Sequence, residues 1–256
     1  MITNRTYGMD ADVIAYNARI IAGGNQSLSM QSLRQLNQFV ISIKKMGLWY
    51  NMVCWPLRSN QNAGAGLTAY SLGGLGTYNG TLVNSPRWGI DGVTTTSAAS
   101  STITTNTPNN LLFSKGTIGY IAKFETTYNS PYFHYWFPMA WQFIGFTGGI
   151  ILQPTIQGGT NNVLTTIDSP NPSPTLFEFK AFSFGASSII GNRNGATANS
   201  TTRTQTPSSI STAHTLLNGN STMSFGLAFN TDLTNAQMVL FYSLYKTTLG
   251  QDLGLP

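Results

Sequence analysis

Polar and apolar positions along the chain fall into three regimes. Over residues 10–46 apolar residues recur at three- and four-residue spacing, which predicts two helices. Asp10 is placed to cap the first, which runs through Ala22 with Ile14, Ala18 and Ile21 on one face and Gly23-Gly24 as its stop. Ser29 is placed to cap the second, from Met30 to Met46, with Leu33, Leu36, Val40 and Ile43 along one side. Lys44 and Lys45 fall in its last turn, where the helix dipole favours cations, and Gly47 suits the stop.

From Leu48 onward short apolar runs alternate with turn residues. Strands are expected toward the end of Leu48–Leu57, over Ser85–Val93 with a tight turn at Asp91-Gly92, and over Phe113–Phe124 and Ile150–Ile156. Further strands are expected at Leu176–Phe184, Thr201–Thr206 and Ser221–Phe229. Arg58–Asn84, rich in Gly and Asn, reads as long loops or irregular edge strands, and Asp168–Pro174 as a rigid loop. The Thr- and Ser-rich stretches Thr94–Asn110 and Gly191–Ser211 read as exposed strand and loop. In the third regime Thr234 and Gln237 form a capping box that opens a helix to about Leu249. Many short strands between regular turn signals predict a mainly β sandwich or jelly roll, with helices at both ends of the chain.

One stretch tests that prediction. Between Pro131 and Thr147 lie eight aromatic residues, and no Lys, Arg, Asp or Glu occurs between Glu125 and Asp168. The run is long enough for a membrane helix of about 20 residues. Pro138, Gly145, Gly148 and Gly149 interrupt it, His134 and Gln142 add polar cost, and the flanks carry no basic cluster. Aromatic enrichment separated by turn residues predicts buried strands instead, and no membrane partner.

Composition sharpens the picture. Charged residues are 8% of the chain against about 25% in an ordinary domain. With 41% hydrophobic and 12% aromatic residues the chain has a core, and its surface is polar but uncharged. Such a surface repels neighbours weakly and suits packing in an assembly. The net charge of +5 comes from scattered single residues, with only Lys44-Lys45 adjacent, so no nucleic-acid stripe forms. The single cysteine, Cys54, excludes an internal disulfide and fits assembly in a reducing cytoplasm. Residues 1–25 lack the basic start and apolar run of a signal peptide.

Candidate chemistry is sparse. Of eight carboxylates, Glu125 and Glu178 lie in strand-like segments with no second acid within five residues, so they are expected to be solvated or turn-facing. A glycosidase needs two carboxyl groups facing one cleft. His134 is expected to be a packed strand residue and His214 to face solvent, and with Cys54 they have no zinc-ligand spacing. Asp91 and Asp168 have too few acidic neighbours for calcium. The Gly-rich segment 72–80 lacks the Lys and the following helix of a phosphate loop. No catalytic residue, metal ligand or cofactor is therefore expected. Trp49, Trp55 and Trp88 lie near loops and could stack on a sugar, although burial in the core or in a subunit contact is the stronger expectation.

Three stretches together resemble a family: VISIKKMGLWYNM at 40–52, RWGIDGVTT at 87–95 and the tail FGLAFNTDLTNAQMVLFYSLYKTTLGQDLGLP at 225–256. The second is similar to the opening strand of concanavalin A-like and laminin-G-like jelly rolls. Helical hairpin, jelly roll and closing helix, in that order, resemble virion structural proteins of tailed bacteriophages. The resemblance implies a concanavalin A-like sandwich of roughly 12–14 strands and a place on the virion, assembled in the host cytoplasm. It suggests an arm and helical hairpin at 1–47, which would dock the protein, and a jelly roll at 48–256 closed by a helix at 234–249. The resemblance does not fix the part of the virion; the expected function is non-enzymatic, a capsid decoration or cement protein, a homo-oligomer packed against capsid or tail proteins. The alternative is a tail or fibre protein that recognises a host-surface glycan.

Overall fold

The structure, a computed structural model, describes residues 8–96, 101–105, 115–124, 133–136, 141–146, 149–154, 165–166, 176–202, 214–218 and 220–256. Its first elements are α1 (Ala11–Ala22), α2 (Met30–Lys45) and a 3-10 turn at Trp49–Asn51. The strands follow as β1 (Met52–Pro56), β2 (Thr68–Ala69), β3 (Gly80–Val83), β4 (Arg87–Trp88), β5 (Val93–Thr95) and β6 (Thr102–Thr105). Then come β7 (Gly116–Phe124), β8 (Phe133–Trp136), β9 (Trp141–Phe146), β10 (Gly149–Pro154) and β11 (Thr165–Thr166). The last are β12 (Glu178–Phe184), β13 (Ser188–Arg193), β14 (Ala196–Thr202), β15 (His214–Asn218), β16 (Ser221–Phe229) and α3 (Asn235–Thr247).

The chain is a mainly β sandwich of antiparallel strands with an N-terminal helical hairpin and a C-terminal helix. Its largest sheet has eight strands, in the order β14-β13-β12-β7-β16-β5-β4, with β1 also paired to β16. β16 is central: β7 runs along one edge, while the other edge is divided between β5 at residues 221–223 and β1 at 225–229. Facing it is the four-stranded sheet β15-β6-β3-β2, and a further four-stranded sheet, β11-β10-β9-β8, adjoins it with β8 running beside β15. Strands β8, β9 and β10 hold much of the aromatic stretch, so its described residues are sheet, as predicted. Among the described residues no helix is long and apolar enough to cross a membrane.

The three helices among the described residues cover the same face of the large sheet. Phe39 of α2 meets Phe225 and Phe241 edge-on at 5.7 and 5.9 Å, and Phe241 of α3 meets Phe229 at 5.8 Å. Residues from α1, α2 and α3 share one core with Cys54, Ile121, Phe179, Phe225 and Leu227. A second core between the sheets contains Trp55, Leu82, Ile103, Ile118, Tyr120, Phe182, Phe184 and Leu216. The large sheet is thus buried on both sides, and every residue of β12 and β16 is buried. That explains why Phe177–Phe184 has no solvent face despite its partial alternation, although Leu176 just before it is 49% exposed.

Several local expectations change. In α1 the buried side is Val13, Tyr16 and Ile20, while Ile14 and Ile21 are 42% and 48% exposed. The helix is turned by Tyr16, whose hydroxyl reaches inward to donate to the Gln61 carbonyl at 2.9 Å. The Ser85–Val93 strand is a hairpin of β4 and β5, closed by paired Gly89–Gly92 backbone bonds of 2.8 and 3.2 Å. Its turn centres on Ile90-Asp91, one residue earlier than expected, because the left-handed Gly92 lies tight against the Met223 backbone. Thr95, Ser101 and Thr105 are buried, so this Thr-rich segment is not simply an exposed strand. Its hydroxyls find partners, as in the 2.8 Å contact between Thr94 and Thr222. Sixteen strands occur among the described residues, more than the resemblance implied.

Candidate functional site

The segment after β1, expected to be loop or irregular edge, is held by a dense set of side-chain hydrogen bonds. Arg58, Gln61 and Asn62 in it are 2%, 0% and 1% exposed. Arg58 donates through Nε to the Ile90 carbonyl at 2.7 Å and through Nη1 to the Leu249 carbonyl at 2.9 Å. Its two terminal nitrogens also hold both carboxylate oxygens of Asp252 at 2.6 Å. Gln61 Nε2 donates to the same Leu249 carbonyl at 2.7 Å. Asn62 donates to the Pro56 and Tyr70 carbonyls and accepts from the Tyr70 and Ala63 amides, which closes the loop on β1. A buried polar group is tolerated only when its hydrogen bonds are made, and these bonds fix the backbone from behind.

The other side of the loop faces a cleft of about 460 Å³. Its walls are Ser59, Asn60 and Asn62–Ala65 on one side, and Gly24–Ser29 with Ser32 on the other. The second wall is equally fixed. Asn17 accepts from the Leu28 amide at 2.9 Å and donates to Ser27 Oγ at 3.0 Å, and Ser29 caps α2 through the Ser32 amide at 3.1 Å. No lining residue is charged or aromatic; Asn, Gln and Ser supply the polar atoms. Asn60 Oδ1 is buried there without a hydrogen-bond partner. Gly64 has φ +68°, and a Cβ on it would lie 2.7 Å from the Ser59 carbonyl, so the loop turns at a position suited to glycine.

The same loop holds Trp88, whose Nε1 donates to the Gly66 carbonyl at 3.0 Å, while Ser59 N donates to the Gly89 carbonyl at 2.9 Å. Trp88 is half-buried at the rim of the inter-sheet core. Leu67 and Ile90, adjoining this contact, are 64% and 55% exposed. Trp49 and Trp55 are each 1% exposed and belong to the two cores, so neither offers a ring to a sugar. Of the three tryptophans singled out from sequence, Trp88 alone keeps an accessible part. Tyr50, 76% exposed beside Trp49, is an accessible ring that sequence reasoning passed over.

The described carboxylates are all paired with cations. Asp10 and Asp12 hold Lys44 at 2.7 and 2.6 Å, and Lys44 also sits 5.3 Å from the centre of the Trp49 ring. Burial opposes the charge on Asp10, but the Lys44 bond and the Asp12 amide outweigh it and hold that carboxyl below its ordinary range. The Asp252 carboxyl is lowered by its Arg58 bond, and Arg58 is raised despite burial. Glu178, expected to be solvated, is 4% exposed. It pairs with Arg193 across the strand and with Lys180 at 3.2 Å, because both faces of β12 are covered. Asp91 and Asp232 lie 3.6 and 3.9 Å from Lys123 and Lys115.

Glu125 and Asp168 lie outside the described residues. His134 is in β8, and His214 opens β15, opposite Thr105. Among the described residues no group of three His, Cys, Asp or Glu could hold a metal ion. Cys54 is buried, and burial pushes its thiol well above the ordinary range.

No family model matches the chain, and no curated protein matches it in sequence. Its fold does have solved counterparts. The receptor-binding domain of botulinum neurotoxin D matches with a TM-score of 0.57 at 12% identity, over 76% of this chain and 52% of that one. A botulinum neurotoxin type C structure, from work on cell entry dependent upon two ganglioside molecules, matches with a TM-score of 0.58 at 12% identity, over 78% and 53%. The binding domain of botulinum neurotoxin DC in complex with SialylT matches with a TM-score of 0.56 at 12% identity, over 75% and 50%. The chain spans about half the length of these structures. It is a β-sandwich with the fold of toxin receptor-binding domains.

Proposed function

We propose that this chain is a non-enzymatic receptor-recognition domain that binds a host-surface glycan, carried on the tail or a fibre of a virion. The observation that carries the proposal is the loop 58–66. Buried Arg58, Gln61 and Asn62 lock it, while its free side lines an uncharged polar cleft and its end anchors the half-buried Trp88. Sugar recognition needs such parts: fixed amide and hydroxyl groups, and an apolar ring face. The fold shared with domains solved with SialylT, or studied for ganglioside-dependent entry, supports the same reading. So does the pairing of each described carboxylate with a cation, since a glycoside hydrolase needs two carboxyl groups open to one cleft. The virion location rests on the family resemblance of the helical hairpin, jelly roll and tail.

A second reading, a capsid decoration protein packed against neighbouring virion proteins or further copies of itself, is favoured by the 8% charge and by exposed Leu67, Ile90 and Leu240. The helical hairpin is less suited to docking than expected, because its apolar face already covers the large sheet.

Trp88→Ala distinguishes the two readings. Glycan recognition at this loop requires the variant to fold and to lose at least about tenfold in sugar affinity. Unchanged affinity in a folded variant contradicts the assignment of that ring.

A further inference from the structure

Resting on the glycan reading above, we infer that the cleft between the Gly24–Ser29 turn and the Ser59–Ala65 loop binds one unit of a neutral saccharide, with Asn60 as the acceptor that orients it. Its volume of about 460 Å³ lies within the roughly 300–1,000 Å³ typical of small-ligand sites. The chemistry of the walls narrows the ligand. No Lys, Arg or His lines the cleft to neutralise a carboxylate or phosphate, and no Asp or Glu lines it to hold a cation. Burying an unpaired charge there would be costly. Amide and hydroxyl groups that both donate and accept match a ligand that does the same on every face, as a polyol does.

Asn60 differs from its neighbours. In this loop Arg58, Gln61 and Asn62 anchor the backbone, and the Gln61 amide closes a turn on the Arg58 carbonyl at 2.9 Å. Asn60 lies at the third position of that turn, beside the cleft, and its buried Oδ1 has no donor. A buried acceptor without a partner destabilises a fold. It is explained if a ligand hydroxyl supplies the missing bond, which requires the Asn60 amide to turn its Oδ1 to the cleft on binding. Gln26, exposed on the opposite wall, is placed to take a second hydroxyl.

The role predicts a pattern that a structural asparagine would not give. In Asn60→Ala the unfolding temperature should stay level or rise, because an unsatisfied acceptor is removed, while affinity for a neutral disaccharide falls at least about tenfold. Gln26→Ala, at an exposed position, should weaken binding by a smaller factor without touching stability. Calorimetric titration of the full chain with neutral disaccharides and their sialylated counterparts reads each of these, and the sialylated form should bind no more tightly than the neutral one.

If the wild type binds a saccharide but both variants retain full affinity, or if sialylation tightens binding about tenfold, the cleft assignment is overturned while the glycan reading stands. If the wild type binds no saccharide, or takes only peptides, both fall. If Asn60→Ala fails to fold, Asn60 is structural and its assigned role is overturned; the Gln26→Ala titration then decides for the cleft.

Discussion

Arg58 and Asp252 lie 194 positions apart in sequence and face each other through two hydrogen bonds of 2.6 Å. The fork joins the loop after β1 to the C-terminal segment. The guanidinium is 2% exposed and the carboxylate 63% exposed, so the pair is a buried cation reached by a solvated anion. Replacing Asp252 with Asn leaves the charge on Arg58 buried without its counter-ion. Breaking a fully buried pair costs about 3–5 kcal/mol. With one partner this solvated the loss should be smaller, about 1–3 kcal/mol for a buried group left without its partner, measured as a lower midpoint in urea. Arg58→Met should cost at least as much, because the Ile90 carbonyl loses its side-chain donor and the Leu249 carbonyl keeps only that from Gln61.

Acid should weaken the fold through the same groups. Asp252 and Asp10 titrate below their ordinary value of 3.8, held down by the Arg58 bond and by the Lys44 and amide bonds that overcome burial. Carboxyls depressed in the folded state contribute stability that is complete above the unfolded value and lost as pH falls through the folded ones. Stability should therefore hold from neutrality to about pH 5 and decline below about pH 4. In Asp252→Asn the decline should be shallower, a difference that acid titration followed by tryptophan fluorescence will detect.

The helix layer should prove inseparable from the sandwich. Phe241 contacts Phe39, Phe225 and Phe229, which joins α3, α2 and the central strand. Phe241→Ala removes a ring from a closed core and should cost about 3–5 kcal/mol. Deleting residues 1–47 would uncover one face of the large sheet, and the remainder should fail to give a cooperative thermal transition. A deletion that kept its cooperative melt would show the hairpin to be an appendage.

Much of this architecture could be read directly from sequence. The Thr234–Gln237 capping box, the 33-36-40-43 spacing of α2 and the apolar run of β16 specify those elements locally, and they formed where expected. The buried side of α1 was misjudged because it has apolar residues all around, and only tertiary contact selects Val13, Tyr16 and Ile20. Likewise, nothing in local pattern indicates that helices from opposite ends of the chain share one face of one sheet. The candidate site was hidden for a related reason. Its loop looks like polar filler, because the partners that bury Arg58, Gln61 and Asn62 lie as far away as Leu249 and Asp252. A cluster of amide side chains immediately after an apolar strand, in a chain with so few charges, was the signal available.

Cys54 provides a simple check on the core. It lies in β1, covered by the helix layer, with its thiol raised by burial. A water-soluble disulfide reagent should react only as fast as the protein unfolds, with stoichiometric labelling in denaturant. Rapid labelling of the native chain would mean that the helix layer does not cover this strand.

The central claim, that this sandwich recognises carbohydrate and performs no reaction, is tested most directly by applying the folded chain to an array of neutral and sialylated glycans. The account predicts specific binding to a subset of the glycans, with every bound glycan recovered intact and the same spots lost in Trp88→Ala. An array without binding, or glycans cleaved on contact, would contradict it.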